Sequence, residues 1–324
     1  MSGKTHCTAL LRRWISAATG LMLALGYSPI TYALLQVSES STTPAVEPIT
    51  PLPEPPAADP LRVALGERLF EDPRLSRGNT RKCSSCHDLR TNGASRNMQD
   101  TALDGSLLLL NTPTVFNSAL CFRLGWEGES RTLEAQAAAT IQNPRIMDSR
   151  VDEVVGKLSH DSDLVHQFKV AYGHGPDPAS VLNAIATFER SLVTPGSRFD
   201  RWLAGDTAAL SAQQLDGYRL FKSLGCASCH QGVNVGGNLL QRHGVFHPLA
   251  QAEPEILRVP SLRNVATTAP YFHDGSAPSL DDAVRKMATA QLNLTLTDQQ
   301  VDEIVAYLRS LTGTYHGRPV GEPR

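Results

Sequence analysis

The sequence is short of charge imbalance, of cysteine and of strand-like alternation. Its 324 residues carry 30 Lys and Arg against 32 Asp and Glu, a formal net charge of -2. So small an imbalance excludes a general nucleic-acid binder, which needs a positive excess. Six cysteines are few for this length, and four of them fall in two tight motifs. That leaves Cys7 ahead of an apolar N-terminal stretch and Cys121 as a small buried apolar residue, with no disulfide framework. No run alternates apolar and polar residues as a half-buried strand does, so the chain reads as all-α. The 41% apolar content suffices for two cores.

The chain is organised around Cys83-Ser84-Ser85-Cys86-His87 and its second copy, Cys226-Ala227-Ser228-Cys229-His230. A CxxCH run is the attachment site of a c-type haem: two thiols form thioethers and the histidine ligates iron. A zinc site or a thioredoxin-like redox pair could use the same residue types. The former needs a nearby fourth ligand and the latter a βαβ setting, and neither is visible. Two covalently bound haem c groups in two tandem cytochrome c-like modules, with long ordered loops around them, are therefore expected.

Lys4, Arg12 and Arg13 precede a mostly apolar stretch, 14–35, with Thr31, Tyr32 and Ala33 as a cleavage site. Residues 1–33 read as a signal peptide or an uncleaved membrane anchor. Both place the body of the protein outside the cytoplasm, in the periplasm of a bacterium. Residues 34–60 are Pro-rich and read as an extended tether with too few apolar residues to pack. Helices are predicted from Leu61 to the stop at Pro73, and over 132–141, 151–158, 163–172 and 179–192. Ser211 with Gln214 and Thr297 with Gln300 read as capping boxes. A first haem domain over 61–203 and a second over 204–316 meet near Phe199–Asp206.

From about Leu61 to Gly313 the chain resembles the bacterial di-haem cytochrome c peroxidases. The resemblance rests on Leu69-Phe70-Glu71-Asp72-Pro73-Arg74-Leu75-Ser76, Asn111-Thr112-Pro113-Thr114-Val115-Phe116-Asn117 and Gly232-Val233-Asn234-Val235-Gly236-Gly237. It also rests on Pro260-Ser261-Leu262-Arg263-Asn264-Val265 and Ala269-Pro270-Tyr271-Phe272-His273-Asp274-Gly275-Ser276. It implies a second haem of high potential with His230 and Met287 as axial ligands, although a methionine on an amphipathic helix is also a common core residue. It implies a calcium ion held by the Asn111 side chain and the carbonyls of Thr268 and Pro270. Without it Asn111 would read as a turn residue. Trp126 matches a tryptophan between the haems, in electron transfer or packing. His273 is expected to stabilise the loop beside the second haem, and His243 and His247 to be surface residues.

The first haem departs from the family pattern. The histidine that covers this iron in many members would fall at Leu103, and no histidine occurs between His87 and His160. Gln136 keeps one distal-pocket position, though it could be an ordinary helix residue. The distal glutamate is replaced by Ile146, and Glu129 stands where an arginine is usual. An open first iron without reductive activation is expected. The leading function is reduction of hydrogen peroxide with electrons from a small donor, a cytochrome c or cupredoxin, or quinol if the anchor is retained. The alternatives are a MauG-like protein-oxidising enzyme and a non-catalytic carrier or sensor. A homodimer stays open.

Overall fold

The computed structural model describes residues 47–249 and 254–322. The expected signal or anchor, Cys7 and the first part of the tether, residues 34–46, lie outside the described residues. The structure is mostly helical, with two short antiparallel hairpins, Leu240–Arg242 (β1) with Ile256–Arg258 (β2) and Thr314–Tyr315 (β3) with Arg318–Pro319 (β4). Among the described residues no helix is long and apolar enough to cross a membrane.

Local chemistry sets the helix ends. Asp59 accepts from the Leu61 N–H, and Pro60 opens α1, Pro60–Phe70. Thr132 caps α2, Leu133–Gln142, followed by α3, Val151–Ser159, and α4, Ser162–Tyr172. Asp177 and Pro178 start α5, Pro178–Ser191. The helix α6, Arg198–Leu203, leads to α7, Ala212–Ser223, and then to α8, Leu280–Leu292, and α9, Asp298–Arg309. Both expected capping boxes are present, on α7 and α9.

Two cores form, each around one crossed helix pair. Leu65, Leu69, Val154, Leu158, Phe168 and Ile185 fill the first. Tyr218, Phe221, Val301, Ile304, Tyr307 and Leu311 fill the second, with Phe199 of α6 buried among them. In the first pair α1 crosses α5 at Gly66, where an added Cβ would lie 2.0 Å from the Ala184 carbonyl oxygen and 2.7 Å from the Phe188 Cβ. In the second, α7 crosses α9 at Gly217, where it would lie 1.9 Å from the Glu303 carbonyl oxygen and 3.1 Å from the Tyr307 Cβ. The two glycines open matching stretches, Gly66-Glu67-Arg68-Leu69-Phe70 and Gly217-Tyr218-Arg219-Leu220-Phe221.

The repetition extends to the joint between the modules. Asn117 and Asn264 both adopt a left-handed backbone, φ 61°, a region asparagine tolerates better than most side chains. Asn117 N–H donates to the Leu192 carbonyl at 2.8 Å, and Asn264 N–H to that of Leu311 at 3.2 Å. Each side chain then accepts from a backbone N–H, of Thr194 or of Gly313, at 2.9 Å. Thr194 Oγ1 receives both amides, at 2.8 and 2.9 Å, so one hydroxyl ties the modules together.

The tether is not wholly free, which corrects the expectation that it has too few apolar residues to pack. Ile49 is 1% exposed within the second core, and Leu52 is buried too. Glu47 accepts from the Tyr218 hydroxyl at 2.5 Å and pairs with Lys222 at 3.0 Å, and the Pro48 carbonyl accepts from Gly232 N–H. Asp200, buried, accepts from the Leu52 N–H at 3.0 Å and from the guanidinium of Arg263 at 2.7 Å. Arg263 is fully buried and also donates to the carbonyls of Thr50 and Val233. Removing one member of a buried pair strands the other charge, at a cost of about 3–5 kcal/mol. Asp200→Ala should therefore lower stability by about that amount, read from denaturant unfolding of the haem-loaded protein. A loss below about 1 kcal/mol would show that Arg263 does not need this carboxylate.

Candidate haem and interdomain site

Each CxxCH motif folds into the same tight turn. His87 N–H and His230 N–H donate to the carbonyls of Cys83 and Cys226, both at 3.0 Å. That closes the two thiols and the imidazole of each motif into one turn. Phe70 lies 6.5 Å from the His87 ring and Phe221 lies 6.4 Å from the His230 ring, so both motifs are backed by the repeated phenylalanine. At His87, Nδ1 sits 3.1 Å from the Gly93 carbonyl, which leaves Nε2 as the free ligand atom. Burial lowers the pKa of both imidazoles, that of His230 to about 4, so each is neutral and able to ligate a metal. Burial also pushes the Cys86 and Cys226 thiols up to about 11.

The residues fit haem c. The second motif opens on a largely apolar cavity of about 440 Å³, with Cys226, Cys229 and His230 on one wall and Met287 of α8 also lining it. At the first motif the Arg81 guanidinium has one buried nitrogen without a partner, and its charge acts on Cys86. A haem propionate is the kind of group that would satisfy it.

The expected interdomain residues line the same cavity: Asn111, Trp126, Thr268 and Pro270. Trp126 Nε1 donates to the Asn111 carbonyl at 2.7 Å, and Asn111 N–H donates to the His273 carbonyl at 2.5 Å. The Asn111 amide NH₂ is engaged by the carbonyls of Asn97 and Met98, at 2.8 and 3.2 Å. Its Oδ1 is thus the end available to a cation. The peptide between Ala269 and Pro270 is cis. Among the described residues no group of three or more His, Cys, Asp or Glu could hold a metal.

Gln136 lies apart from this cavity, on α2, with Nε2 3.3 Å from Thr140 Oγ1. Ile146, half-buried, sits in the turn after Pro144, and the Leu103 N–H donates to the Arg145 carbonyl at 2.9 Å. One backbone hydrogen bond thus ties the loop that carries Leu103 to the turn that carries Ile146.

Two expectations are corrected here. His243 is not a surface residue: it is half-buried, its Nε2 is buried without a partner, and its ring packs edge-on at 3.8 Å against His273. His247 is exposed, as expected. Cys121 is not simply apolar, because its sulfur accepts from Asn234 Nδ2 at 3.3 Å and from Arg258 at 3.5 Å. Sequence reasoning also missed Arg258, which is buried, donates to the Gly125 carbonyl at 3.0 Å and lies 5.7 Å over the Trp126 ring. Nothing local marks it. His273 packs edge-on against Trp126 at 5.1 Å. Burial, then His243 and Arg258, holds His273 near pKa 3, so it is neutral.

Comparison with known proteins agrees with this geometry. The family model for di-haem cytochrome c peroxidase matches residues 60–208, and that for cytochrome c matches 214–312. The chain is 42% identical to the cytochrome c peroxidase Ccp of Escherichia coli over 83% of its own length, and spans 62% of that relative. It is 36% identical to a cytochrome c551 peroxidase of Nitrosomonas europaea, over 88% of this chain and 91% of the relative. The fold is similar to a solved MauG-like protein associated with microbial copper homeostasis, with a TM-score of 0.67 and 24% identity, covering 82% of this chain and 93% of that one. The repeated haem-binding turns, the shared cavity and these matches together make the chain a member of the di-haem cytochrome c peroxidase family.

Proposed function

We propose that this chain is an exported di-haem peroxidase that reduces hydrogen peroxide to water with electrons from a small redox protein. The observation that carries the reading is the single cavity that joins the second CxxCH motif, Met287, Trp126 and Asn111. The two haem c groups would supply the electron-transfer centre and the peroxide-reducing centre. Cys83, Cys86 and His87 hold the first, and Cys226, Cys229, His230 and Met287 the second. The two haem domains divide this labour, with α6 packing into the second core.

Trp126, fixed by its bond to Asn111 and by Arg258, places an indole on the wall of that cavity, and we assign it to the electron path. Asn111 Oδ1 with the carbonyls of Thr268 and Pro270 would bind calcium, oxygen donors suited to a hard cation. Gln136 orients peroxide by hydrogen bonding but cannot shuttle a proton alone. The positive N-terminal residues support export to the periplasm, and a cytochrome c or cupredoxin there would be the donor. Met287 on the cavity wall weighs against the MauG-like reading. Ile146 favours one rival, a di-haem carrier or sensor whose peroxide chemistry has decayed.

Steady-state mixing with peroxide and a reduced cytochrome c or cupredoxin separates these readings. Donor oxidation that depends on peroxide is expected, and its absence would leave the carrier. Because Leu103 stands at the switch-histidine position, the isolated protein should show ferric high-spin signals in electron paramagnetic resonance. A wholly low-spin spectrum would refute the open first iron.

Met287→His should keep the second haem low-spin and lower its potential, because a harder nitrogen ligand favours ferric iron. Unchanged potential and absorbance would mean that Met287 only packs.

Ile146→Glu restores a carboxylate at the relay position. A positioned general base contributes on the order of 10²- to 10⁴-fold, so peroxide cleavage in stopped-flow mixing should accelerate by at least about tenfold. The half-buried site can hold the new carboxyl protonated, so the gain should be sought across pH. No gain at any pH, in a folded variant with both haems, would place the relay elsewhere.

A further inference from the structure

The two modules repeat one helix crossing, and they differ in charge at one position of it near the haem-binding cysteines. Phe188 meets Gly66 as Tyr307 meets Gly217. Ser191 Oγ donates to the Phe188 carbonyl at 2.6 Å, and Ser310 Oγ to that of Tyr307 at 2.6 Å. Leu192 and Leu311 accept from the paired asparagines 117 and 264. These contacts fix the register, and in it Glu189 occupies the place of Leu308. Leu308 is buried and lines the cavity beside Cys226, Cys229 and His230. The equivalent residue beside the first motif is a carboxylic acid.

Two observations of the first module agree. Glu189 Oε2 is buried and has no hydrogen-bond partner, although the residue as a whole is partly exposed. The charge of Glu189 acts on the Cys83 thiol, which burial and that charge together push up. The neighbouring Arg190 does not neutralise it by contact, because Arg190 pairs with Glu134 of α2 at 2.5 Å. On the other elements packed against α5, Arg62 lies over the Tyr172 ring, Arg68 pairs with Asp161 and Asp163, and Lys157 donates to the Ser76 carbonyl. The Cys83 sulfur would be consumed by the thioether.

We propose that Glu189 is a redox-linked proton site of the first haem, a positioning residue that acts through the iron. When the iron takes one electron from the small donor protein, the carboxylate oxygen takes one proton from solvent. When the iron gives the electron up, the proton leaves. The reason is electrostatic: ferric haem carries one more positive charge than ferrous, and in a medium of low dielectric that charge favours the nearby carboxylate over the acid. Burial, reinforced by Glu134 and opposed by Arg190, places the Glu189 pKa at about 8, where such a shift is felt near neutral pH. A proton store beside the first haem suits a chain whose relay position holds Ile146, since peroxide needs two protons as well as two electrons to become two waters. The proposal rests on haem c being carried at Cys83, Cys86 and His87.

The test is spectroelectrochemical titration of both haems in the holoprotein on the acid and alkaline sides of pH 8. The first haem's midpoint potential should fall as pH rises in the wild type. In Glu189→Gln it should be flat, with the second haem's potential the same in both proteins. Glu189→Leu, which installs the second module's residue, should be flat as well and serves if the glutamine variant does not load haem. A redox-induced infrared difference spectrum of the wild type should show a protonated-carboxyl band that appears on reduction of the first haem. A flat potential or a missing band in a two-haem wild type, or a slope that survives in either variant, overturns the proposal alone. A wild type that carries one haem overturns it together with the haem assignment.

Discussion

The structure depends on two helix crossings so close that neither tolerates a side chain. At Gly66 and at Gly217 the backbone of the partner helix occupies the space of a Cβ. Glycine in a helix interior costs roughly 0.5–1 kcal/mol relative to alanine. That cost is offset by packing, because close approach lets Leu65, Leu69 and Ile185 on one side, and Phe221, Ile304 and Tyr307 on the other, share a core. The last residue of α1 and a residue in the last turn of α7 reach the ligand histidines. Phe70 and Phe221, four residues after the glycines, back the ligand histidines at nearly equal distances. A cofactor-binding turn is a loop, and a loop holds geometry only if rigid elements fix its ends.

The same repetition explains how the modules are joined. Asn117 and Asn264 reach one hydroxyl, that of Thr194, from opposite sides. At the matching place in the second module is Gly313, where an added Cβ would lie 1.9 Å from the Thr194 carbonyl oxygen. Two like loops thus meet at a point where one side must be small and the other can donate and accept. Asn234 adds a further amide, to the Asn117 carbonyl at 3.1 Å. A joint made of saturated, buried amides resists sliding because each broken bond would leave a desolvated polar group. A second tie between the modules is the Asn111 N–H, which donates to the His273 carbonyl at 2.5 Å.

What was legible in the sequence was whatever is encoded within a few residues. The CxxCH runs, the helix from Leu61 to the stop at Pro73, and the capping boxes at Ser211 and Thr297 need only their neighbours to be read. Asn111, Trp126, Thr268, Pro270 and Met287 were reached through the family resemblance, and they share one cavity wall. The residues that were misread have partners far along the chain. Ile49 packs because the second module offers an apolar slot, His243 is covered by His273, and Cys121 is made polar by Asn234 and Arg258. One signal was present and local: Gly-Glu-Arg-Leu-Phe repeated as Gly-Tyr-Arg-Leu-Phe before each haem motif. The match of Glu189 to Leu308 is not legible there, because it is set by the contacts of Phe188 with Gly66 and of Tyr307 with Gly217.

Arg145 and its neighbours tie one loop of the first module to the turn after α2. Arg145 fixes the loop that carries Leu103: its carbonyl accepts from Leu103 N–H, and its guanidinium donates to Ser106 Oγ at 3.1 Å and to the Leu107 carbonyl at 2.7 Å. These bonds hold the loop that carries Leu103 in one place. Leu103 is exposed and Ile146 half-buried, and neither side chain can hold a proton. A proton is then carried by a group whose state follows the charge beside it: burial raises the Glu189 pKa to about 8, so under the proposal its carboxyl gains a proton when the first iron is reduced and loses it when the iron is oxidised.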